Sequence, residues 1–210
     1  MANQFVRLDP AETVAGRTFT NLAGSAADKT TLQYMIDRLS WLMQQPTAIP
    51  TQPRPLVLFL EETDHHLHRI ALSKPEALLK PADLTVVGFC GQKRQEGADR
   101  GLIEALDRKL IAEFPQYDDL LSYCTLQMED ANACNLVLFS QPQGIRHWAT
   151  SKTHAQAVKL SPRYYECVRL HHGVLPGGLM SANKLFLLRT KYYDYRHQPA
   201  WRAIRELGGR

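Results

Sequence analysis

The sequence of 210 residues lacks the short motifs by which many enzymes are recognised. It contains no GxGxxG, GxxxxGK[ST], HExxH or GxSxG pattern, so dinucleotide-binding, P-loop, zincin and hydrolase functions have no motif support. It has no run of 18 apolar residues, which argues against a transmembrane helix. Its first residues have no apolar stretch typical of a secretory signal. We therefore expect a cytoplasmic protein with no membrane partner.

Cysteine is scarce, and its spacing is uninformative. The four cysteines form no CxxC pair and stand in apolar surroundings, which favours four free, buried thiols over a disulfide or zinc framework. They are Cys90, Cys124, Cys134 and Cys167.

The net charge of +4 is unevenly distributed. Residues 1–141 carry 13 basic and 18 acidic side chains, a net −5, whereas residues 142–210 carry 12 and 3, a net +9. The basic third predicts an acidic partner, either a small anionic ligand or the acidic part of a second subunit. A dimer held in this way would be sensitive to salt.

The chain divides into an N-terminal unit, residues 1–55, and a compact unit, residues 56–210. We expect an irregular arm over 1–27 and then a helix, with Thr30 and Gln33 as a capping box and an apolar stripe from Leu32 to Met43. Four prolines in residues 46–55 indicate an extended linker.

The compact unit has a regular order of predicted elements. Strands are expected over 84–91, 120–128, 134–140 and 184–195, and helices over 99–114 and 145–160, the second restarting at Ser161-Pro162 and running to His172. Further helices are expected over 64–72, 73–79 and 201–207. From residue 84 the order is β-α-β-β-α-β, which predicts a ferredoxin-like α+β fold with helices on one face of an antiparallel sheet. Because its strands are apolar on both faces, the open face needs cover from a second subunit or from the N-terminal segment.

Residues 84–195 resemble the dimeric α+β barrel superfamily in this order, in the two-sided sheet and in a second helix carrying Trp148 and His154. That superfamily includes antibiotic-biosynthesis monooxygenases, haem-degrading monooxygenases and relatives of chlorite dismutase. The resemblance implies a homodimer with a pocket between sheet and helices. It also implies an enzyme that works without a cofactor or with haem, so haem is the one cofactor suggested.

The second predicted helix supplies the candidate site residues. His147, Trp148, Ser151 and His154 share one stripe of that helix, and His154 is our candidate for a general base or axial haem ligand, with His147 as a second catalytic candidate. Further along, Tyr165 and Arg169 are candidate ligand-binding residues, and Arg169 is expected to pair with Glu166 or with a ligand carboxylate. Each histidine has an alternative structural role as a hydrogen-bonding core residue.

Two other groups have metal-ligand spacing, and neither is assigned a metal. The run from Asp64 to His68 contains His65, His66 and His68 but offers no fourth ligand, and its acidic residues also suit a helix N-terminus. Cys167 and His171 stand four residues apart with no third ligand nearby.

Three functions remain open. A pocket for a small anionic molecule is favoured, and a non-catalytic assembly or regulatory protein is the alternative. Nucleic-acid binding through Tyr192, Tyr193, Tyr195 and Trp201 is disfavoured, because the third predicted strand lacks the basic and aromatic pattern of RNA-recognition modules.

Overall fold

One mixed sheet of nine strands organises the computed structural model, which describes residues 5–45, 55–62, 66–95, 100–128 and 132–208. The strand order is β1-β9-β8-β7-β4-β6-β5-β3-β2, with β1 parallel to β9 and the other neighbours antiparallel. The strands are β1 (Val6–Arg7), β2 (Leu56–Glu61), β3 (Leu67–Leu72), β4 (Leu84–Lys93), β5 (Leu120–Gln127), β6 (Ala133–Phe139), β7 (Tyr165–Leu175), β8 (Phe186–Asp194) and β9 (Trp201–Glu206). The helices are α1 (Leu22–Met43), α2 (Pro75–Leu78), α3 (Arg100–Ala112), α4 (Gln143–Trp148) and α5 (Lys152–Tyr164).

This sheet shows that the predicted small ferredoxin-like fold and dimeric α+β barrel are wrong. Strands β2 and β3 extend the sheet at one edge, and β8, β9 and β1 extend it at the other. The expectation of a monooxygenase-like protein, with or without haem, came from the barrel resemblance and has no support in this architecture.

Three segments predicted as helices are strands. They are β3, β7 and β9, where helices were expected over 64–72, 161–172 and 201–207. Pro162 does not start a new helix but lies inside the last turn of α5. The error has a physical cause, because short apolar segments rich in His, Tyr and Arg satisfy a helical spacing as readily as an alternating one. Residues 63–65, which include Asp64 and His65 of the predicted histidine-rich helix, lie outside the described part of the chain, as do 46–54 of the proline-rich linker.

Helix α1 covers one face of the sheet. It begins earlier than predicted, at Leu22, and its N-cap is Asn21, whose side-chain oxygen accepts a 2.7 Å hydrogen bond from the Gly24 amide, whereas Thr30 lies within the helix. Its buried apolar stripe packs in one cluster with residues of β2 to β7. That stripe comprises Leu32, Met35, Ile36, Leu39, Leu42 and Met43. Helix α1, from the N-terminal segment, thus covers the apolar sheet face that was expected to need cover, and this face does not require a second subunit.

Close packing of α1 on the sheet depends on Gly88 in the middle of β4. A Cβ atom at this position would collide with the side-chain methyls of Leu32, which is fully buried. The missing side chain therefore lets the helix approach the strand.

The opposite face is covered by α3, α4, α5 and the turn around Phe114. Its core is aromatic, and the ring of Trp148 lies 5.8–6.4 Å from the rings of Phe114, Tyr123 and Phe139. Only 6 % of Trp148 is exposed.

The structure also bears on the expected state of the cysteines and on the expected lack of a transmembrane helix. Cys90 and Cys134 form a disulfide between β4 and β6, so the expectation of four free thiols is wrong for this pair, while Cys124 and Cys167 are free and buried. No helix among the described residues is long and apolar enough to span a membrane.

Candidate functional site

A set of buried polar side chains separates the N-terminal half of α1 from strands β7, β8 and β9. Ser25 and Asp28 continue, toward the helix N-terminus, the same stripe that carries Leu32 and Met35. The stripe thus changes from apolar to polar where the helix meets the last strands. We call this set the polar layer, and it comprises Ser25, Asp28, Arg169, His171, Thr190, Tyr192 and Arg205.

Asp28 is the centre of the polar layer. Arg169 donates to it twice, from Nε to Oδ2 at 2.5 Å and from Nη2 to Oδ1 at 2.8 Å. Nε2 of His171 lies 2.8 Å from Oδ2, and Nδ1 of the same ring lies 2.9 Å from the Thr190 hydroxyl. The histidine is fully buried, and both of its ring nitrogens have partners.

The pKa values of Asp28 and Arg169 are shifted by burial and by their contacts with each other. Burial raises the pKa of Asp28, but hydrogen bonds from Arg169 and His171 and their charge lower it by more, so the net pKa lies below its usual value. Burial lowers the pKa of Arg169, but the Asp28 carboxylate raises it by more. Asp28 is therefore ionised and Arg169 protonated at neutral pH.

Arg205 adds a second buried cation to the polar layer, and it is fully buried. Its Nη1 donates to the Tyr192 hydroxyl at 2.6 Å and to the Thr20 carbonyl at 2.7 Å, and other donors reach the carbonyls of Asp9 and Glu12. None of these partners is charged, so the polar layer has more positive than negative charge. A site with such an excess favours anions.

A cavity of about 380 Å³ lies beside the polar layer, between α1 and the ends of β4, β6 and β7. Asp28 and Arg169 form part of its wall, together with Thr31, Gln92 and Met128. The Arg169 side chain is 21 % exposed, and its Nη1 makes no hydrogen bond with any described residue. The cavity therefore has a cationic donor in its wall and the size of a small-molecule pocket.

Three cysteines also line the cavity. Cys90 and Cys134 are directly opposite each other in the antiparallel register of β4 and β6, with their Cα atoms 4.4 Å apart, and their disulfide is part of the wall. Cys167 is a free thiol that donates to the side-chain oxygen of Gln92 at 3.4 Å. Burial raises the pKa of this thiol by more than Arg169 lowers it, so it is protonated at neutral pH.

The residues predicted on the second helix lie on the opposite side of the sheet from the cavity. The expected continuous helix is interrupted between α4 and α5. His147 is exposed beside the Tyr117 ring, with centroids 5.2 Å apart. Trp148 is buried in the aromatic core and stacks on His154 at 4.5 Å. Burial lowers the pKa of His154, so it is neutral at pH 7.

Ser151 has a structural role in this interruption. It is the N-cap of α5, where its side chain accepts a 3.0 Å hydrogen bond from the His154 amide. Its hydroxyl also donates to Glu113 at 2.8 Å, and Glu113 accepts a further bond from Thr153. These contacts connect α5 to the end of α3.

The six predicted site residues are thus divided between two places. Arg169 alone among them lines the cavity, and its carboxylate partner is Asp28 rather than the predicted Glu166. Tyr165 packs on the other face, with its ring 5.1 Å from that of Phe89.

The histidine-rich run has a different environment from the one predicted. His68 is fully buried on β3, with Nδ1 2.9 Å from the Glu62 carboxylate, and Glu62 also accepts hydrogen bonds from Tyr34 and Arg38 of α1. Burial lowers the pKa of His68 more than Glu62 raises it. This cluster joins α1 to the edge of the sheet.

Searches against protein-family models, curated proteins and solved structures found no match for this chain.

Proposed function

We propose that the protein binds a small anionic molecule, of the carboxylate or phosphate class, in the cavity beneath α1. The observation that carries this proposal is the position of Arg169 in the cavity wall. Asp28 holds the guanidinium through Nε and Nη2, and Nη1, which lies beside Gly24 of α1, has no hydrogen-bond partner among the described residues.

The surroundings of Arg169 support an anion rather than a neutral ligand. Arg205 brings a second cation to the polar layer, and Asp28 is the single carboxylate in it. A guanidinium fixed by a carboxylate keeps its orientation without a ligand, so little side-chain entropy is lost on binding.

Thermal unfolding of the full chain with a panel of dicarboxylates, tricarboxylates and phosphate monoesters tests the proposal. A ligand at about 100 times its Kd adds roughly 2.7 kcal/mol of stability, which corresponds to a rise in Tm of about 5–10 °C in a chain of this size.

Variants of the ion pair identify the binding site. The double variant Asp28→Asn with Arg169→Gln removes both charges and leaves no unpaired one, and we expect it to fold but to lose the ligand-dependent rise in Tm. Arg146→Gln, at an exposed position on α4, is the matched control. An equal rise in the wild type and the double variant, or no rise with any member of the panel, contradicts the proposal.

Single-stranded nucleic acid is a second candidate ligand, and it would bind elsewhere. Cations on β1, β8 and β9 share the sheet face that points away from α1, together with aromatic rings. We call them the basic strip, which comprises Arg7, Arg189, Lys191 and Arg202 with Phe5, Tyr193 and Tyr195. Glu206 is the carboxylate paired across from Arg189.

The basic strip combines the charge and the rings that single strands use, phosphate contacts and base stacking. Burial and the neighbouring Arg189 lower the pKa of Lys191, which shows how crowded these cations are. Fluorescence anisotropy with labelled oligouridine measures binding. We expect affinity to fall with salt and to be lost in Lys191→Glu with Arg202→Glu but kept in Lys152→Glu with Lys159→Glu on α5. No salt-dependent binding by the wild type excludes this candidate.

A further inference from the structure

Three side chains in the cavity region have the identity and position of metal ligands. A carboxylate oxygen of Asp28, Sγ of Cys90 and a ring nitrogen of His171 all lie within 4.8 Å of one another, and all three residues are buried. They come from α1, β4 and β7, three elements far apart in sequence.

The remaining hydrogen bonds of His171 and Asp28 also suit a metal site. Nδ1 of His171 is bonded to the Thr190 hydroxyl, so Nε2 is the nitrogen that faces Asp28, and a metal-bound histidine usually has its other nitrogen fixed in this way. Arg169 donates to both oxygens of the Asp28 carboxylate and so fixes its orientation.

The donor set selects the metal. One thiolate, one imidazole and one carboxylate are ligands that Zn²⁺ accepts at roughly 2.0–2.3 Å. Tetrahedral ligands at such bond lengths are about 3.3–3.8 Å apart, so shifts of an ångström or less bring the three atoms into place. Asp28 and Cys90 also line the cavity, which leaves room for a water molecule as the fourth ligand.

Cys90 is not free to bind a metal while it is joined to Cys134. We propose that reduction of the Cys90–Cys134 disulfide creates a Zn²⁺ site formed by Asp28, Cys90 and His171. The reductant is a dithiol: it transfers two electrons and two protons, the S–S bond breaks to give two thiols, and the dithiol becomes a disulfide. The Cys90 thiol then gives its proton to solvent as Zn²⁺ binds.

This site changes the charge of the polar layer. Zn²⁺ with the thiolate and the carboxylate is a neutral group, whereas the oxidised form has the Asp28 carboxylate alone. Reduction would thus replace the disulfide in the cavity wall with a Zn²⁺ ion bound by Asp28, Cys90 and His171. Metal binding needs no anionic ligand, so this proposal and the anion proposal fail independently.

The test uses the full chain, oxidised or reduced with a phosphine, and Zn²⁺ alone as the probe in competition with a chromogenic chelator. We expect the reduced wild type to bind one equivalent and the oxidised form to bind at least 100-fold more weakly. Co²⁺ in place of Zn²⁺ should show a thiolate charge-transfer band in the reduced form only.

Two cysteine variants separate the proposal from its alternatives. Cys134→Ser leaves Cys90 without a disulfide partner, so it should bind Zn²⁺ with or without reductant. Cys90→Ser should bind at least 100-fold more weakly than the reduced wild type, whereas Cys124→Ser, at another buried thiol, should behave as the reduced wild type does. Equal affinity in Cys90→Ser and the reduced wild type, or no Zn²⁺ binding by Cys134→Ser and the reduced wild type, overturns the proposal.

Discussion

The two faces of the sheet are stabilised in different ways. Under α1 the core is aliphatic toward β2 to β6 and polar toward β7 to β9, with Asp28 and Arg169 in contact across 141 residues of sequence. Under α3 to α5 the core is aromatic and centred on Trp148. The polar side chains that border it, Glu113 and Ser151, connect helix ends.

The difference between the two faces indicates which of them is the better candidate for a binding site. On the aromatic side, Glu113 and Ser151 serve the capping of α5, and Arg69 of β3 forms a half-buried ion pair with Asp107 of α3. The charges of the polar layer adjoin a cavity, and burying them costs free energy that ordinary packing would avoid. The anion binding proposed above would explain why these charges are present.

The largest expected effect comes from removing the carboxylate of the polar layer. Asp28→Ala leaves Arg169 without its ion-pair partner in a half-buried position, and we expect the free energy of unfolding to fall by about 3–5 kcal/mol. Urea denaturation measures it. Glu113→Ala, on the opposite face, loses two hydroxyl hydrogen bonds and should cost only about 1–2 kcal/mol. Equal losses in the two variants would remove the contrast between the faces.

A methyl group at Gly88 should have the next largest effect. Gly88→Ala pushes against Leu32 under α1 and should cost about 1–3 kcal/mol. Gly91→Ala, three residues along the same strand, meets the Tyr165 ring on the other face, and that half-buried ring can move more easily. We expect Gly91→Ala to lower the free energy of unfolding less than Gly88→Ala does. A larger loss in Gly91→Ala would show that the packing under α1 is the looser of the two.

Removal of the N-cap of α5 should have a smaller effect. Ser151→Ala loses both the bond from the His154 amide and the bond to Glu113, and should lower the free energy of unfolding by about 1–2 kcal/mol. Gln156→Ala, at an exposed position further along α5, should change stability by less than about 0.5 kcal/mol. A Ser151 variant as stable as the wild type would mean that the cap contributes nothing.

At neutral pH the smallest effect is expected at His172, which lies beside the basic strip. Burial, with Lys191 and Arg189 nearby, lowers the pKa of His172 to about 4. Between about 6.5 and 4 the unfolded chain therefore binds the proton that the folded chain excludes, so stability falls as pH falls through this range. His172→Gln should reduce the slope of stability against pH by at most about 1.4 kcal/mol per pH unit, whereas Gln156→Ala, which changes no titratable group, should leave it unchanged. The same slope of stability against pH in both variants would contradict the lowered pKa of His172.

Part of this fold is predictable from local sequence. The apolar stripe of α1, helix α3 and strands β4, β5 and β6 have strong periodic patterns, and the structure has them in those places. The need for a cover on both sheet faces was also apparent, because Val86 and Val87 point to opposite faces and both are buried. The predictions for β3, β7 and β9 were wrong, because their His, Tyr and Arg residues fit a helical spacing as well as an alternating one.

The site was less predictable than the fold. The sequence suggested that Arg169 pairs with a carboxylate, but no local signal indicates Asp28, because the two meet only through tertiary packing. A signal did exist in α1, since extending its buried stripe backward from Leu32 reaches Asp28 and then Ser25. A polar residue on a buried stripe marks a partner elsewhere in the chain.

The buried Arg205 has a consequence for how the chain folds. It joins β9 to the backbone of residues 9, 12 and 20, and β1 pairs with the same strand. These contacts join residues up to 196 positions apart in the sequence, and contacts of such long range slow folding because a large loop must close before they form. We therefore expect β1 and β9 to pair in a late step of folding, after the shorter-range hairpins of the sheet.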